Sequence, residues 1–111
     1  LDEWAAALAP GTAMVWMESP SNPTLAITDV AAVARLARDR GILAVADNTF
    51  ASPILTRPCD LGCDLSVSSA TKYLGGHSDL VLGVITGREE AVVRCWEVAK
   101  ITGPTPDPFA A

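Results

Sequence analysis

Positive charge is scarce in this chain. Eight Lys and Arg residues stand against 13 Asp and Glu, for a formal net charge of −5 over 111 residues, and no basic cluster or basic stripe interleaved with aromatics occurs. Nucleic acid and anionic membrane surfaces, which are bound by neutralising phosphates, are therefore poor partners. Long apolar runs are missing too: stretches such as ILAVA, from Ile42 to Ala46, fall far short of the ~20 residues that span a bilayer. The opening LDEWAAALAPG has neither the basic start nor the long apolar centre of a secretory leader. Cys59, Cys63 and Cys95 are odd in number, and the C-x-x-x-C spacing of the first two matches neither a zinc site nor a redox pair. Buried or half-buried thiols in a reducing cytosol are the expectation. Internal repeats, low-complexity tracts and linkers are absent as well.

What is present is apolar: half the residues are hydrophobic, enough for one compact core or a piece of one. TAMVWM (12–17) is β-prone and runs into ESPSNP, whose prolines stop any regular element. TDVAAVARLARDRG (28–41) starts on a capping residue and carries apolar side chains at Val30, Val33, Ala34, Leu36 and Ala37. Ending on basic residues and Gly41, it predicts an amphipathic helix. ILAVAD (42–47) reads as a strand buried on both faces. DLSVSS (64–69) and LVLGVITG (80–87) read as further strands, and REEAVVRCWEVAKITG (88–103) as a helix closed by Gly103, with part of another helix at 2–9. This alternation predicts an α/β fold with a mainly parallel sheet and flanking helices. Two clear helices are too few to cover four strands, so apolar sheet faces are expected to stay exposed.

In open α/β sheets ligands collect at the carboxyl ends of the strands. Three such ends carry polar groups: Glu18 to Asn22, Asp47 to Thr49, and Ser68 to Lys72. Each has a bland explanation. Asp47 suits a turn cap, Asn22 a turn before Pro23, and Lys72 a solvated loop. Three ends with matched polar chemistry are harder to explain as caps. A phosphate-binding P-loop is excluded around Lys72, because Gly75 and Gly76 follow the lysine instead of preceding it. Ser69-Ala70-Thr71-Lys72 also spells the S-x-x-K of serine acyl enzymes, but the β-rich approach and the glycine pair leave barely one helical turn to align the two groups.

The combination of ESPSNP, ADNTF, SSATKYLGGHSD and VLGVITG closely resembles the Cys/Met-metabolism family of pyridoxal 5'-phosphate enzymes, from about Ala13 to the final GPTPDPFAA. That family includes cystathionine γ-synthases, cystathionine γ- and β-lyases, methionine γ-lyase and homoserine sulfhydrylases. The resemblance implies that residues 1–111 are the central part of the cofactor-binding large domain of an aspartate-aminotransferase-like (fold type I) enzyme. The N-terminal arm, the upstream phosphate loop and the C-terminal domain would then lie outside it. It further implies that Lys72 is the Schiff-base lysine, that Ser69 and Thr71 donate to the cofactor phosphate, and that Asp47 partners the pyridine nitrogen. Asn22 would lie near the phenolic oxygen, and Glu18 matches an acidic position of the family. The implied protein is a cytoplasmic homo-oligomer, a dimer of dimers, acting on a small amino acid.

The residue types suit those roles on physical grounds. A lysine at the tail of a buried strand is expected to be partly desolvated, which would favour its reactive neutral amine. A carboxylate facing a pyridine nitrogen keeps that ring protonated and able to accept electrons. Short hydroxyls and turn amides donate to phosphate without bulk. His77 is read as a loop brace through side-chain to backbone bonding, and Tyr73, on the premise of an extended segment, as a packing residue pointing away from Lys72. Two rival readings are a non-catalytic folding or oligomerisation module and the Ser69 acyl enzyme.

Overall fold

The structure, a computed structural model, describes residues 1–109. In chain order the elements are helix α1 (Asp2–Ala7), strand β1 (Met14–Glu18), helix α2 (Val30–Asp39), strand β2 (Leu43–Asp47), short helix α3 (Ser52–Leu55) and strand β3 (Leu65–Ser69). A wide helical turn follows over Ala70–Leu74, then strand β4 (Gly83–Gly87) and helix α4 (Glu89–Thr102). The four strands form one sheet in the order β1-β2-β3-β4. The first two pairings are parallel and the third, β3 with β4, is antiparallel. The expected α/β architecture with a mainly parallel sheet is thus the one observed.

Helix α2 shows how the local sequence dictates the fold. Asp29, one residue later than the Thr28 start of the expected helix, is the cap: its carboxylate accepts from Ala32 N at 2.9 Å. At the other end Gly41 takes a left-handed φ of 67°, and the amides of Gly41 and Ile42 reach back to the carbonyls of Arg38 and Ala37. These two bonds form a Schellman stop, which a Cβ-bearing residue at position 41 would strain. Between the caps, Val30, Val33, Ala34 and Ala37 are buried against Val15 and Met17 of β1 and Ala44 and Ala46 of β2. Ala34 and Ala37 are fully covered, and their small side chains let the helix axis approach the sheet closely.

The strands alternate as their pleat requires. Val15 and Met17 face α2, whereas Met14 and Trp16 point to the other side and are 49% and 53% exposed. The described helices leave that face of β1 open, as the shortage of helices in the sequence implied. Helix α4 buries none of its residues fully, and Trp96, Val98 and Ile101 remain exposed.

One carboxylate ties the amino ends of β2 and β3 to the carboxyl end of the antiparallel β4. Asp64 Oδ2 accepts from the amide of Ala44 at 2.7 Å, and Oδ1 accepts from Arg88 Nε at 2.9 Å. The amide of Arg88 in turn donates to the Asp64 carbonyl at 3.0 Å. A Cβ at Gly87 would overlap that carbonyl, so the position requires glycine. Replacing Asp64 by Ala is expected to cost about 1–3 kcal/mol in denaturant unfolding, because the part-buried Ala44 amide loses a charged acceptor. Arg88→Ala should cost less than about 1 kcal/mol, since the guanidinium is 63% exposed and its ion pair is screened. Equal losses in the two variants would contradict this ranking.

Cys63 is buried in the α2 side of the core. Burial is the main reason its thiol is pushed from 9.0 up to about 11, with the nearby Cys59 and Asp64 adding to it. A folded-state pKa above the unfolded value means that the folded chain holds the proton longer. The resulting stabilisation is complete below about pH 9 and is lost as pH rises towards 11. Alkaline unfolding is therefore expected to begin in this window, and Cys63→Ala should flatten the pH dependence there. An unchanged profile in the variant would count against Cys63 as the group responsible.

Candidate active site

The carboxyl ends of β1, β2 and β3 open on one cleft of about 730 Å³. Register explains why their polar side chains meet. Glu18 pairs with Asp47, and Asp47 with Val67, so these residues share a face of the sheet. Ser69, two residues beyond Val67, falls on the same face. This is the side opposite α2. All six residues singled out in the sequence, Glu18, Asn22, Asp47, Ser69, Thr71 and Lys72, line this cleft.

Each is held by identifiable contacts. Glu18 Oε2 accepts from the amide of Asn22 at 3.1 Å, which folds the ESPSNP loop back over the end of β1. Asp47 Oδ1 accepts from the amide of Thr49 at 3.0 Å. The turn-cap explanation of Asp47 is therefore correct for one oxygen, while among the described residues Oδ2 has no hydrogen-bond partner. The amide of Ser69 donates to Thr49 Oγ1 at 2.8 Å. Thr71 Oγ1 accepts from the amide of Leu82 at 3.0 Å and lies 3.5 Å from its carbonyl, tying the turn to the segment that enters β4. Lys72 interrupts the helical turn, with φ −93° and ψ −120°, and is solvent-exposed at the cleft, not partly desolvated as expected, because the turn carries it beyond the covered end of β3.

Around this turn the expectation for Tyr73 needs adjustment, and that for His77 holds. The segment after Ser69 is a helical turn, not an extended strand, so Tyr73 does not point away from the site. It lines the cleft and meets Phe50 edge-on, with ring centroids 6.3 Å apart and an interplanar angle of 63°. His77 does not line the cleft, and its Nδ1 lies 2.9 Å from the Gly75 carbonyl, the contact of a loop brace. Thr49 and Phe50 of ADNTF also line the cleft, without having been assigned roles from sequence.

The cleft thus gathers a primary amine, two carboxylates, several hydroxyls and two aromatic edges at the carboxyl end of a mainly parallel sheet. That combination is an α/β strand-end cleft suited to a small polar ligand. The family model described as Cys/Met metabolism PLP-dependent enzyme matches residues 1–111, and the chain belongs to that family. It is 45% identical over 105 residues to a probable cystathionine gamma-synthase of Herpetosiphon aurantiacus, covering 94% of this chain and 33% of that protein. It is 56% identical over 78 residues to a cystathionine beta-lyase of Coxiella burnetii, covering 70% of this chain and 20% of that protein. Among solved structures, a cystathionine gamma lyase from Micromonospora echinospora superposes with a TM-score of 0.88 at 43% identity, over 96% of this chain and 29% of the other. The chain therefore spans a fifth to a third of the length of such relatives.

The family's cofactor is pyridoxal 5'-phosphate, and the donor set suits its three functional ends. An aldehyde calls for an amine, a protonated ring nitrogen for a carboxylate, and a phosphate for hydroxyls and amides.

Proposed function

We propose that this chain is the central part of the cofactor-binding domain of a pyridoxal-phosphate-dependent lyase or transferase of sulfur amino-acid metabolism. The supporting observation is the convergence of Lys72 and Asp47, from separate strand ends, on one cleft. Lys72 would hold the cofactor covalently through its amine, and Asp47 would face the ring nitrogen with its uncommitted Oδ2. Ser69, whose hydroxyl bonds to none of the described residues, would donate to the phosphate. Thr71 can join it by turning its proton away from the long contact to the Leu82 carbonyl. Asn22 would flank the phenolic oxygen, on a loop that Glu18 keeps folded.

The cofactor, when bound, supplies a ring that takes up the electron pair left by a departing Cα proton. The chain's own part is to hold and move protons. The Lys72 Nζ, when not holding the cofactor, would accept the Cα proton and return it further along the substrate side chain. Elimination or replacement at the β or γ carbon of a cystathionine, methionine or O-acylhomoserine type substrate would follow. Relatives named as a γ-synthase, a β-lyase and a γ-lyase match this segment at 45%, 56% and 43% identity. Identity here does not rank the three reactions. The working protein would be a cytoplasmic homo-oligomer.

Borohydride treatment of the intact protein, followed by peptide mapping, tests the assignment. The expected result is loss of visible absorbance with the cofactor fixed on Lys72. A label on Ser69 after exposure to an activated ester would instead favour the acyl-enzyme reading.

A further inference from the structure

The hydrogen bonds around Thr49 extend the sheet one step beyond the point where its backbone runs out. The amide of Asn48 still donates to the Val67 carbonyl at 2.8 Å, continuing the parallel ladder between β2 and β3. The next step would take the amide of Ser69 to the carbonyl of Asn48. That carbonyl is already engaged, because it accepts from Ser52 N at 2.8 Å where the chain turns towards α3. The part-buried Ser69 amide is left without a backbone acceptor, and the hydroxyl of Thr49 takes that place at 2.8 Å. The amide of the same residue holds Asp47 Oδ1 at 3.0 Å.

We infer that Thr49 is a positioning residue that fixes the Asp47 carboxylate and the Ser69–Lys72 turn relative to each other. Its amide orients the carboxylate at the end of β2, and its hydroxyl anchors the first residue of the turn that carries Lys72. The two groups that would grip opposite ends of the cofactor are thereby referred to one residue. A Val side chain at 49 keeps the shape and the Asp47 contact but leaves the Ser69 amide unpaired, whereas Ser restores the acceptor. The inference rests on the cofactor-site reading above.

The test is titration of the intact apo-protein with pyridoxal 5'-phosphate, following absorbance, in wild type, Thr49→Val, Thr49→Ser and Lys72→Ala, with thermal unfolding of each apo-form alongside. Thr49→Val is expected to weaken cofactor binding by about tenfold or more. It should also shift the pH midpoint of the cofactor absorbance change, with Thr49→Ser close to wild type in both. A Thr49→Val protein with lowered apo-stability but wild-type affinity and an unshifted midpoint has lost only structure, and overturns the positioning role. If wild type and Lys72→Ala respond to the cofactor identically, the site reading itself fails and the inference falls with it.

Discussion

Lys72→Ala is expected to yield an intact protein that carries no borohydride-reducible cofactor and turns over at least about three orders of magnitude more slowly than wild type. On the proposed reading, two functions would leave with one amine. The first is covalent retention of the cofactor, and the second is acceptance of the Cα proton by a group already at the reacting carbon. The described part of the chain has no substitute: Lys100, its other lysine, lies in helix α4 and does not line the cleft. Lys72→Arg separates charge from nucleophilicity. The guanidinium keeps the positive charge near the carboxylates but stays protonated and cannot attack an aldehyde. Both variants should therefore fail alike. Survival of a reducible adduct in Lys72→Ala, or activity within about tenfold of wild type in Lys72→Arg, would remove Lys72 from this role.

Much of this arrangement was legible in the sequence because the signals were local. The apolar periodicity of Val30 to Ala37 and the stop at Gly41 specify α2, and the apolar run ending at Asp47 specifies a buried strand. The strand-end rule then collects Glu18, Asp47 and Ser69 without further information. What was not legible depended on partners distant in the chain. Strand β4 begins at Gly83, not at Leu80, because Thr71 captures the backbone of Leu82 before pairing with β3 can start there. Helix α3 is four residues long, with Pro53 in its first turn, too short to leave a periodicity. Tyr73 was misplaced because the turn at 70–74 reverses the face that an extended chain would present. The role of Thr49 is invisible from composition, since it exists only where the ladder fails at Asn48. A hydroxyl two residues beyond a strand-end carboxylate is a weak signal until the register of the neighbouring strand is known.

Asp47 combines an observed bland role with a proposed chemical one, and its substitutions can part them. Oδ1 caps the turn by accepting from the Thr49 amide, while Oδ2 is uncommitted among the described residues. Asp47→Asn keeps an oxygen that can accept from Thr49 but removes the charge. If Asp47 were only a cap, the Asn protein would match wild type and Asp47→Ala would lose about 0.5–2 kcal/mol of stability with little change in turnover per folded molecule. If its charge keeps the ring nitrogen protonated, both variants should retain much of their cofactor and lose turnover together, by an increase in barrier on the order of 4 kcal/mol, or about a thousandfold. The measurement is kcat on holoprotein corrected for cofactor content, with thermal unfolding to register the cap. We expect Asp47→Asn to fold as wild type does yet turn over nearly as poorly as Asp47→Ala. A fall of less than about tenfold in Asp47→Asn would return this carboxylate to the status of a turn cap and leave the ring nitrogen without an anchor in this chain.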